Sequence, residues 1–394
     1  MNANGRESCL ENRFGWPCVP VGEMASPADR NETVVPEKEY RQLGVRLWGK
    51  GAYARESIDG VDTKYKTLNR VATGDIVVNK IWARNGSVSV VQSDLDGCYV
   101  SGEFPLYSPN PGALLPDWFL LASKCRWFWH QCDELSRGTS GKNRIKPSQF
   151  LRVKIPLPPL PEQKRIVDKV QSLTSKIDEA QELRSDINTD RIAALRSLFR
   201  RLTDGAPRRP MSEVAPLERR PVQIKEDESY PELGIRSFGR GTFHKPTLQG
   251  SELTWQKLFH IHSGDIVLSN IKAWEGAIGV ATEEDHNRVG SHRYLTCVVN
   301  PDAATANFVS FYLLTREGLE HVGHASPGSA DRNRTLGMRA LMDIPVPVPA
   351  LHIQHHFDRV HRQMAETTDT EAQSGKKLDA LVPAVLDRAF KGAL

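Results

Sequence analysis

The stretch TGDIVVNKIWARNG (73–86) returns as SGDIVLSNIKAWEG (263–276), 190 positions further along a 394-residue chain. The same offset lays YRQLGVRLWGKGAY over YPELGIRSFGRGTF, and the two copies align without a gap from Tyr40 through Val90. Identities fall at Tyr40/Tyr230, Leu43/Leu233, Gly44/Gly234, Arg46/Arg236, Gly74/Gly264, Asp75/Asp265 and Gly86/Gly276. They resume at Gly138/Gly328, Asn143/Asn333 and Arg144/Arg334. IPLPPLP (155–161) answers IPVPVPA (344–350), slipped by one residue. A period this long is a whole domain, not one turn of a solenoid. The chain is a tandem duplication and does one job in two places.

Each copy opens β-rich and closes helical. GDIVV, GDIVL and SVSVV are short β-branched runs punctuated by turn glycines, the pattern of a compact mixed α/β module. DWFLLASKCRWFWHQC and ANFVSFYLLTREGLEHV place apolar residues at helical spacing. After the proline run the period changes. Pro161 and Glu162 suit a helix start. Ile166, Val170, Leu173, Ile177, Ala180, Leu183, Ile187, Leu195, Leu198 and Leu202 then form a heptad-like stripe to about Gly205. The second copy, Leu351 to Phe390, keeps Phe357, Val360, Met364, Leu378, Leu381, Val385 and Ala389. Its polar middle, ETTDTEAQSGKK, predicts a looser helix, or a break near Gly375.

Composition narrows the class. With 39% hydrophobic and 25% charged residues the chain is an ordinary globular protein, so its chemistry must lie in particular clusters. Net charge is only +4, but Arg137, Lys142, Arg144, Lys146, Arg152 and Lys154 follow one another with no acidic residue among them. Arg200, Arg201, Arg208, Arg209, Arg219 and Arg220 form a second basic run. The six cysteines make no C-x-x-C pair, and the first ten residues, MNANGRESCL, show no apolar leader. No apolar run reaches bilayer length. These features predict a cytoplasmic protein with reduced thiols and no membrane segment.

Catalytic readings find little to stand on. Asp75 and Lys80 could belong to a metal-dependent nuclease, but the second copy has Asn270 where the first has Lys80, and neither adds a Glu-x-Lys on the next strand. Gly-Asp reads instead as a turn feeding a buried strand, with Asp75 and Asp265 bonding backbone amides. No P-loop and no G-x-G-x-x-G is present. His352, His355 and His356 in HIQHHF have no cysteine or carboxylate partner at ligand spacing, so no metal site is assigned. Basic and aromatic residues remain: Lys80, Trp82, Arg84 and Asn85 after the first strand, and Lys272, Trp274 and Glu275 after the second. Such side chains read phosphates and base edges. Two equivalent modules suit two stretches of a long ligand such as DNA.

With these residues in hand, the chain resembles the DNA-specificity (S) subunit of type I restriction–modification systems over essentially its whole length. IPLPPLPEQKRIV is similar to that family's junction between a target-recognition domain and its long helix. WARNGSVSVVQSDLDGCYVSGEFPLY and AWEGAIGVATEEDHNRVGSHRYL are similar to its recognition segments, and LVPAVLDRAFKGAL to its closing helix. The second junction, IPVPVPALHIQHHF, departs by losing the Pro-Glu-Gln start. The resemblance implies an α/β (α+β) chain of two tandem mixed α/β target-recognition domains. Each is followed by a long helix, and the two helices pair as an antiparallel coiled coil. The expected boundaries are 1–155 and 204–345 for the domains, 156–203 and 346–394 for the helices.

It further implies a bipartite target in double-stranded DNA, two docked methyltransferase (M) subunits, and restriction (R) subunits joined through the complex. No catalytic residue is expected in this chain: S-adenosylmethionine, ATP and magnesium belong to the partner subunits. The residues expected at DNA are Arg46, Lys50, Lys80, Trp82, Arg84, Lys142 and Arg144 in the first copy. In the second they are Arg236, Arg240, Lys272, Arg332 and Arg334. Residues shared by both copies should contribute independently of sequence, and those that differ should read bases. A different class remains open on the residues alone: an antiparallel coiled-coil scaffold whose globular ends bind protein.

Overall fold

The computed structural model describes residues 15–136, 143–253, 257–328 and 334–394, with 368–373 and 376 described in backbone only. The chain forms two compact units that do not follow chain order. One takes the residues through Leu183 together with Gln373–Leu394, the other Arg184–Ala372. Each unit therefore owns one copy of the β-rich repeat and about half of each long helix.

In the first unit a four-stranded antiparallel sheet runs in the order Ala25–Pro27, Leu106–Pro109, Ile76–Val78, Val88–Val90. The GDIVV run is thus an interior strand, and Ile76, Val77 and Val78 are fully buried. That is why the sequence there is continuously β-branched and does not alternate. A five-stranded sheet follows the order Asn31–Thr33, Thr67–Arg70, Tyr99–Val100, Glu39–Val45, Ala52–Asp59, antiparallel except where Gln42 pairs with Tyr99. The second unit repeats both orders, down to the bulge between Pro231 and Leu233 that matches Arg41/Leu43.

The expected helical stretches are each two short helices: Pro116–Ser123 and Arg126–Ser136, then Ala306–Leu313 and Arg316–His324. Thr315 stops the continuous reading by capping the second helix, its hydroxyl accepting from the Gly318 amide at 3.1 Å. Gly318 is required by close approach, since a Cβ there would lie 2.0 Å from the Tyr312 carbonyl. These helices supply most of the aromatic cores, joined in the first unit by Phe150 of the short helix Pro147–Phe150. Trp118, Phe119, Phe128 and Phe150 pack with Ile76, Val78 and Tyr107 in one unit; Phe308, Tyr312 and Leu313 pack with Ile266 and Leu268 in the other.

Two long helices span Leu160–Thr203 and Leu351–Phe390. The first, 44 residues, is about 66 Å long at 1.5 Å per residue. Glu162 in its first turn and Arg200 and Arg201 in its last oppose the helix dipole favourably. The second is unbroken at Gly375 and carries Pro383 inside it. The pairing is antiparallel and visible within each unit. In the first, the Arg165 guanidinium donates to the Leu394 carbonyl at 3.0 Å, and the Gln181 amide to Asp379 at 2.9 Å. In the second, Phe199 meets Phe357 at 5.2 Å between ring centroids. The stripe is buried towards its ends, at Ile166, Val170, Ile177 and Leu195, but Leu183 and Ile187 within it are exposed, and the buried Phe199 lies outside the expected stripe. In the second helix Leu386 and Phe390 take buried places, and the expected Leu381 is exposed.

The domain–helix junction corrects the sequence alignment. Strand Cys18–Pro20 pairs with Lys154–Pro156, and Arg208–Pro210 with Pro345–Pro347. In these pairs Val19 opposes Ile155 while its repeat mate Arg209 opposes Val346, so Ile155 matches Val346 and not Ile344. On that register Gln163 matches Gln354, and the second junction keeps its glutamine. Both amides are fully buried at the helix start. Gln163 accepts from the Leu115 amide (2.9 Å) and donates to the Ala113 and Pro158 carbonyls (2.8 Å each). Gln354 does the same with Thr305 (3.1 Å), Ala303 (3.0 Å) and Pro349 (2.8 Å). A long helix is thus tied to its domain by one polar side chain in a place where an unpaired amide would be costly.

Candidate nucleic-acid interface

The Gly-Asp turn sets the base of the site. Asp75 is buried and accepts from the Ala72 amide at 2.8 Å, as the turn chemistry predicts. It also takes two bonds from Arg30 (2.5 and 3.1 Å) and one from Ser108 (3.0 Å). Asp265 mirrors it with the His262 amide at 2.8 Å and Arg220 at 2.6 and 3.2 Å. A buried carboxylate needs such a partner. The matched arginines, 190 positions apart, were legible in the repeat but lie outside its gapless stretch.

Much of the second basic run is also paired within its own unit, at Asp265 in the interior and at carboxylates on the surface. Besides Arg220 on Asp265, Arg208 pairs with Glu317 at 2.6 Å and Arg209 with Glu213 at 2.9 Å. Arg219 lies 3.6 Å over the Phe259 ring and donates to the Tyr294 carbonyl at 2.6 Å, where burial lowers its pKa.

Beyond the turn the chain forms a 3-10 element, Ala83–Asn85 and again Ala273–Glu275, each closed by a glycine in the left-handed region (Gly86 at +76°, Gly276 at +79°). The loop 46–51 docks on it. Trp48 N–H donates to Asn85 (2.7 Å) and Gly49 N–H to Gly86 (3.0 Å); Phe238 and Gly239 repeat these bonds to Glu275 and Gly276 at 2.8 Å each. One backbone scaffold therefore presents Arg46, Lys50, Lys80, Trp82 and Arg84 in the first unit and Arg236, Arg240 and Lys272 in the second.

The side chains on it differ. In the first unit Lys80 and Arg144 come together around Glu103, at 4.0 and 2.7 Å. Trp82 is 44% exposed beside them. Trp82, Glu103, Gln42, Arg55 and Asn79 line a cavity of about 220 Å³. Arg84 is half-buried and has no ion-pair partner among the described residues. In the second unit Lys272 bonds Glu275 at 2.6 Å and lies 5.1 Å from the Trp274 ring centroid. This contact holds the Glu275 carboxyl below its ordinary range. Arg334 stacks on Trp274 at 4.6 Å and donates to the Ser326 and Gly323 carbonyls at 3.2 Å, which makes it a brace for that loop.

Arg46 lies 4.2 Å over Tyr53, and Arg236 lies 4.5 Å over Phe243, both solvent-exposed. Lys50 and Arg240 are exposed on the same loops. Lys142 and Arg332 lie outside the described residues. Sequence reasoning missed Glu103 and its counterpart Arg293. Each carbonyl accepts the amide of the residue after the GDIV strand: Lys80 to Glu103 at 3.1 Å, Asn270 to Arg293 at 2.8 Å. The 190-residue offset, the sheet register and this shared backbone bond mark them as equivalent, although their side chains carry opposite charge. Among the described residues no group of His, Cys, Asp and Glu is placed to hold a metal ion.

Residues 16–189 match the family model described as the type I restriction modification DNA specificity domain. The HsdS subunit from Thermoanaerobacter tengcongensis is similar in fold, with TM-score 0.58 and 20% identity, covering 96% of this chain and 97% of that one. A chain from structural work on complex assembly and conformational transition of the type I R-M system superposes with TM-score 0.68 at 18% identity, covering 96% and 98%. The curated proteins contain no match.

Proposed function

We propose that the chain, whose residues 16–189 match the type I restriction modification DNA specificity domain and whose second half repeats the first, reads a bipartite duplex sequence, one part with each recognition domain. One observation carries this reading. The same backbone scaffold is built twice, and it presents Lys80, Trp82, Arg84 and Glu103 in one unit but Asn270, Lys272, Trp274 and Arg293 in the other. Equal scaffolds with unequal polar side chains are what two readers of two different base sequences require.

The paired helices dock two methyltransferase subunits, and restriction subunits join through them. Support comes from Leu183, Ile187 and Ile192, apolar side chains left 44–55% exposed on the first long helix, a surface that suits a protein partner. Chemistry stays with those partners: S-adenosylmethionine with the methyltransferase, ATP and magnesium with the restriction subunits. The carboxylates of the repeat, Asp75 and Asp265, are committed to Arg30, Arg220 and backbone amides, which favours a non-catalytic chain. No helix among the described residues is long and apolar enough to cross a membrane.

Exchanging residues 204–345 for the equivalent segment of another family member tests the reading. Methylation-sensitive sequencing of host DNA should show one half-site changed and the other kept. A swap that alters both half-sites, or neither, ends the two-reader proposal. Co-expression with the methyltransferase of its own system should yield one copy of this chain with two of the partner, and a free monomer with undiminished DNA affinity would contradict the docking role.

A further inference from the structure

Trp48 and Phe238 occupy the same repeat position, each followed by Gly, a cation and Gly. Both are large apolar side chains left in solvent, 55% and 73% exposed. Both sit in the left-handed region, at φ +61° and +64°. A bulky residue is strained there, and glycine would not be. Neither burial nor backbone geometry asks for an aromatic at this place, yet both units have one.

Packing does not supply the shared reason. Trp48 makes an edge contact with Trp129 at 5.9 Å, but the repeat puts Leu319 at that place in the second unit, and Phe238 is the more exposed of the two. The turns themselves are held firmly by the amide bonds to Asn85 and Gly86, or to Glu275 and Gly276. Exposed cations flank each ring along the chain, Arg46 and Lys50 two residues either side of Trp48 and Arg236 and Arg240 two residues either side of Phe238, with Arg240 5.8 Å from the Phe238 ring centroid. The surroundings are those of an apolar tip inside a phosphate-binding rim.

Indole and phenyl share no hydrogen-bonding group. A role common to both therefore cannot be the reading of a base edge, and it must be apolar. Resting on the DNA-reading proposal, we infer that Trp48 and Phe238 are wedges that press into the duplex beside each half-site and unstack a base step. The flanking cations hold the neighbouring phosphates. The positive φ is the conformation that carries the ring out to the tip of the turn.

The test uses the full chain in complex with its methyltransferase subunits, on a duplex that the complex selects from a random pool, with 2-aminopurine placed at successive positions. Binding of the unaltered complex should raise 2-aminopurine fluorescence at one step beside each half-site. Trp48→Gly should abolish the rise beside one half-site and weaken binding about tenfold on every single-base variant of the site. The salt slope should stay unchanged, because no charge is lost. Its melting temperature should hold, since glycine accepts the backbone angle. Trp48→Phe should restore both signals, and Phe238→Gly with Phe238→Trp should repeat the pattern at the other half-site.

Unchanged fluorescence in both glycine variants overturns the wedge, whether or not affinity falls. So does loss of methyltransferase co-purification with fluorescence retained, which would assign the rings to a protein contact. An unaltered complex that selects no duplex defeats the DNA-reading proposal itself, and the two failures are thereby told apart.

Discussion

Glu103 and Arg293 hold the same place in their two recognition domains and carry opposite charge. Their carbonyls accept the Lys80 and Asn270 amides at 3.1 and 2.8 Å, so the backbone around them is common. Glu103 gathers Lys80 and Arg144, whereas Arg293 is exposed and has no ion-pair partner among the described residues. A carboxylate accepts from the amino group of cytosine, and a guanidinium donates to guanine. Glu103→Gln should therefore change base preference in one half-site, and Arg293→Gln in the other, each costing about 1–3 kcal/mol on the cognate site. Binding to a panel of single-base variants measures this. A preference change in the same half-site for both would refute the equivalence.

Arg46 and Arg84 should separate phosphate contact from base readout. Arg46 is shared with Arg236, and both guanidinium groups lie over a ring of the following strand. Arg46→Ala should weaken binding on every sequence alike and reduce the salt slope by about one unit. Arg84→Ala should cost about 1–3 kcal/mol on the cognate site and relax preference in one half-site. The same panel at two salt concentrations decides between them, and a reversal of the two patterns would mean the roles are assigned backwards.

The buried glutamines should be required for stability and indifferent to DNA sequence. Gln163→Ala removes three hydrogen bonds and leaves the Leu115 amide and the Ala113 and Pro158 carbonyls without that partner. A loss of about 3 kcal/mol is expected in urea denaturation, with Gln354→Ala alike. Base preference in the residual folded protein should be unaltered. A variant as stable as the parent would show that the helix start is held by other contacts.

Acid should weaken the second unit through Asp285. Burial pushes this carboxyl upward, but bonds from the Thr282 amide (2.9 Å), the Thr242 hydroxyl (2.8 Å) and His244 (3.0 Å) prevail and leave it below its ordinary range. A depressed carboxyl contributes stability that is full above the unfolded value, near pH 4, and is lost as pH falls through the folded value. Asp285→Asn should therefore destabilise by about 1–2 kcal/mol at pH 7 and progressively less below pH 4. A penalty that stayed constant from pH 7 to pH 3 would remove the carboxylate from this role.

Local chemistry was legible wherever it recurs. Asp75 and Asp265 could be assigned to turn amides because a nuclease lysine was missing from one copy, and the hydrogen bonds agree. The long helices could be placed from the change of period after the proline run. The Ile155/Ile344 alignment was wrong by two residues. Repeated Ile-Pro pairs look alike in sequence, whereas strand pairing selects Val346 by hydrogen-bond register. The breaks within the helical stretches at 116–136 and 306–324 were not legible because apolar spacing persists across them; in the second, the Thr315 cap marks where a new helix begins.

The sequence by itself determined the duplication, the sheet-then-helix order of each copy and the seam that lets the helices pair, because each depends on periodicity along the chain. Tertiary structure alone decided which charges are spent and which are free. Arg30 and Arg220 vanish into buried carboxylates, Arg208 and Arg209 into surface pairs, and Arg334 into a brace on Trp274, while Arg84 and Arg293 have no ion-pair partner among the described residues. It also decided that each compact unit closes with halves of both helices. The physical reason is that an ion pair or a helix contact depends on distance in space, falling off within a few ångströms, and residues 30 and 75, or 165 and 394, become neighbours only when the chain has folded.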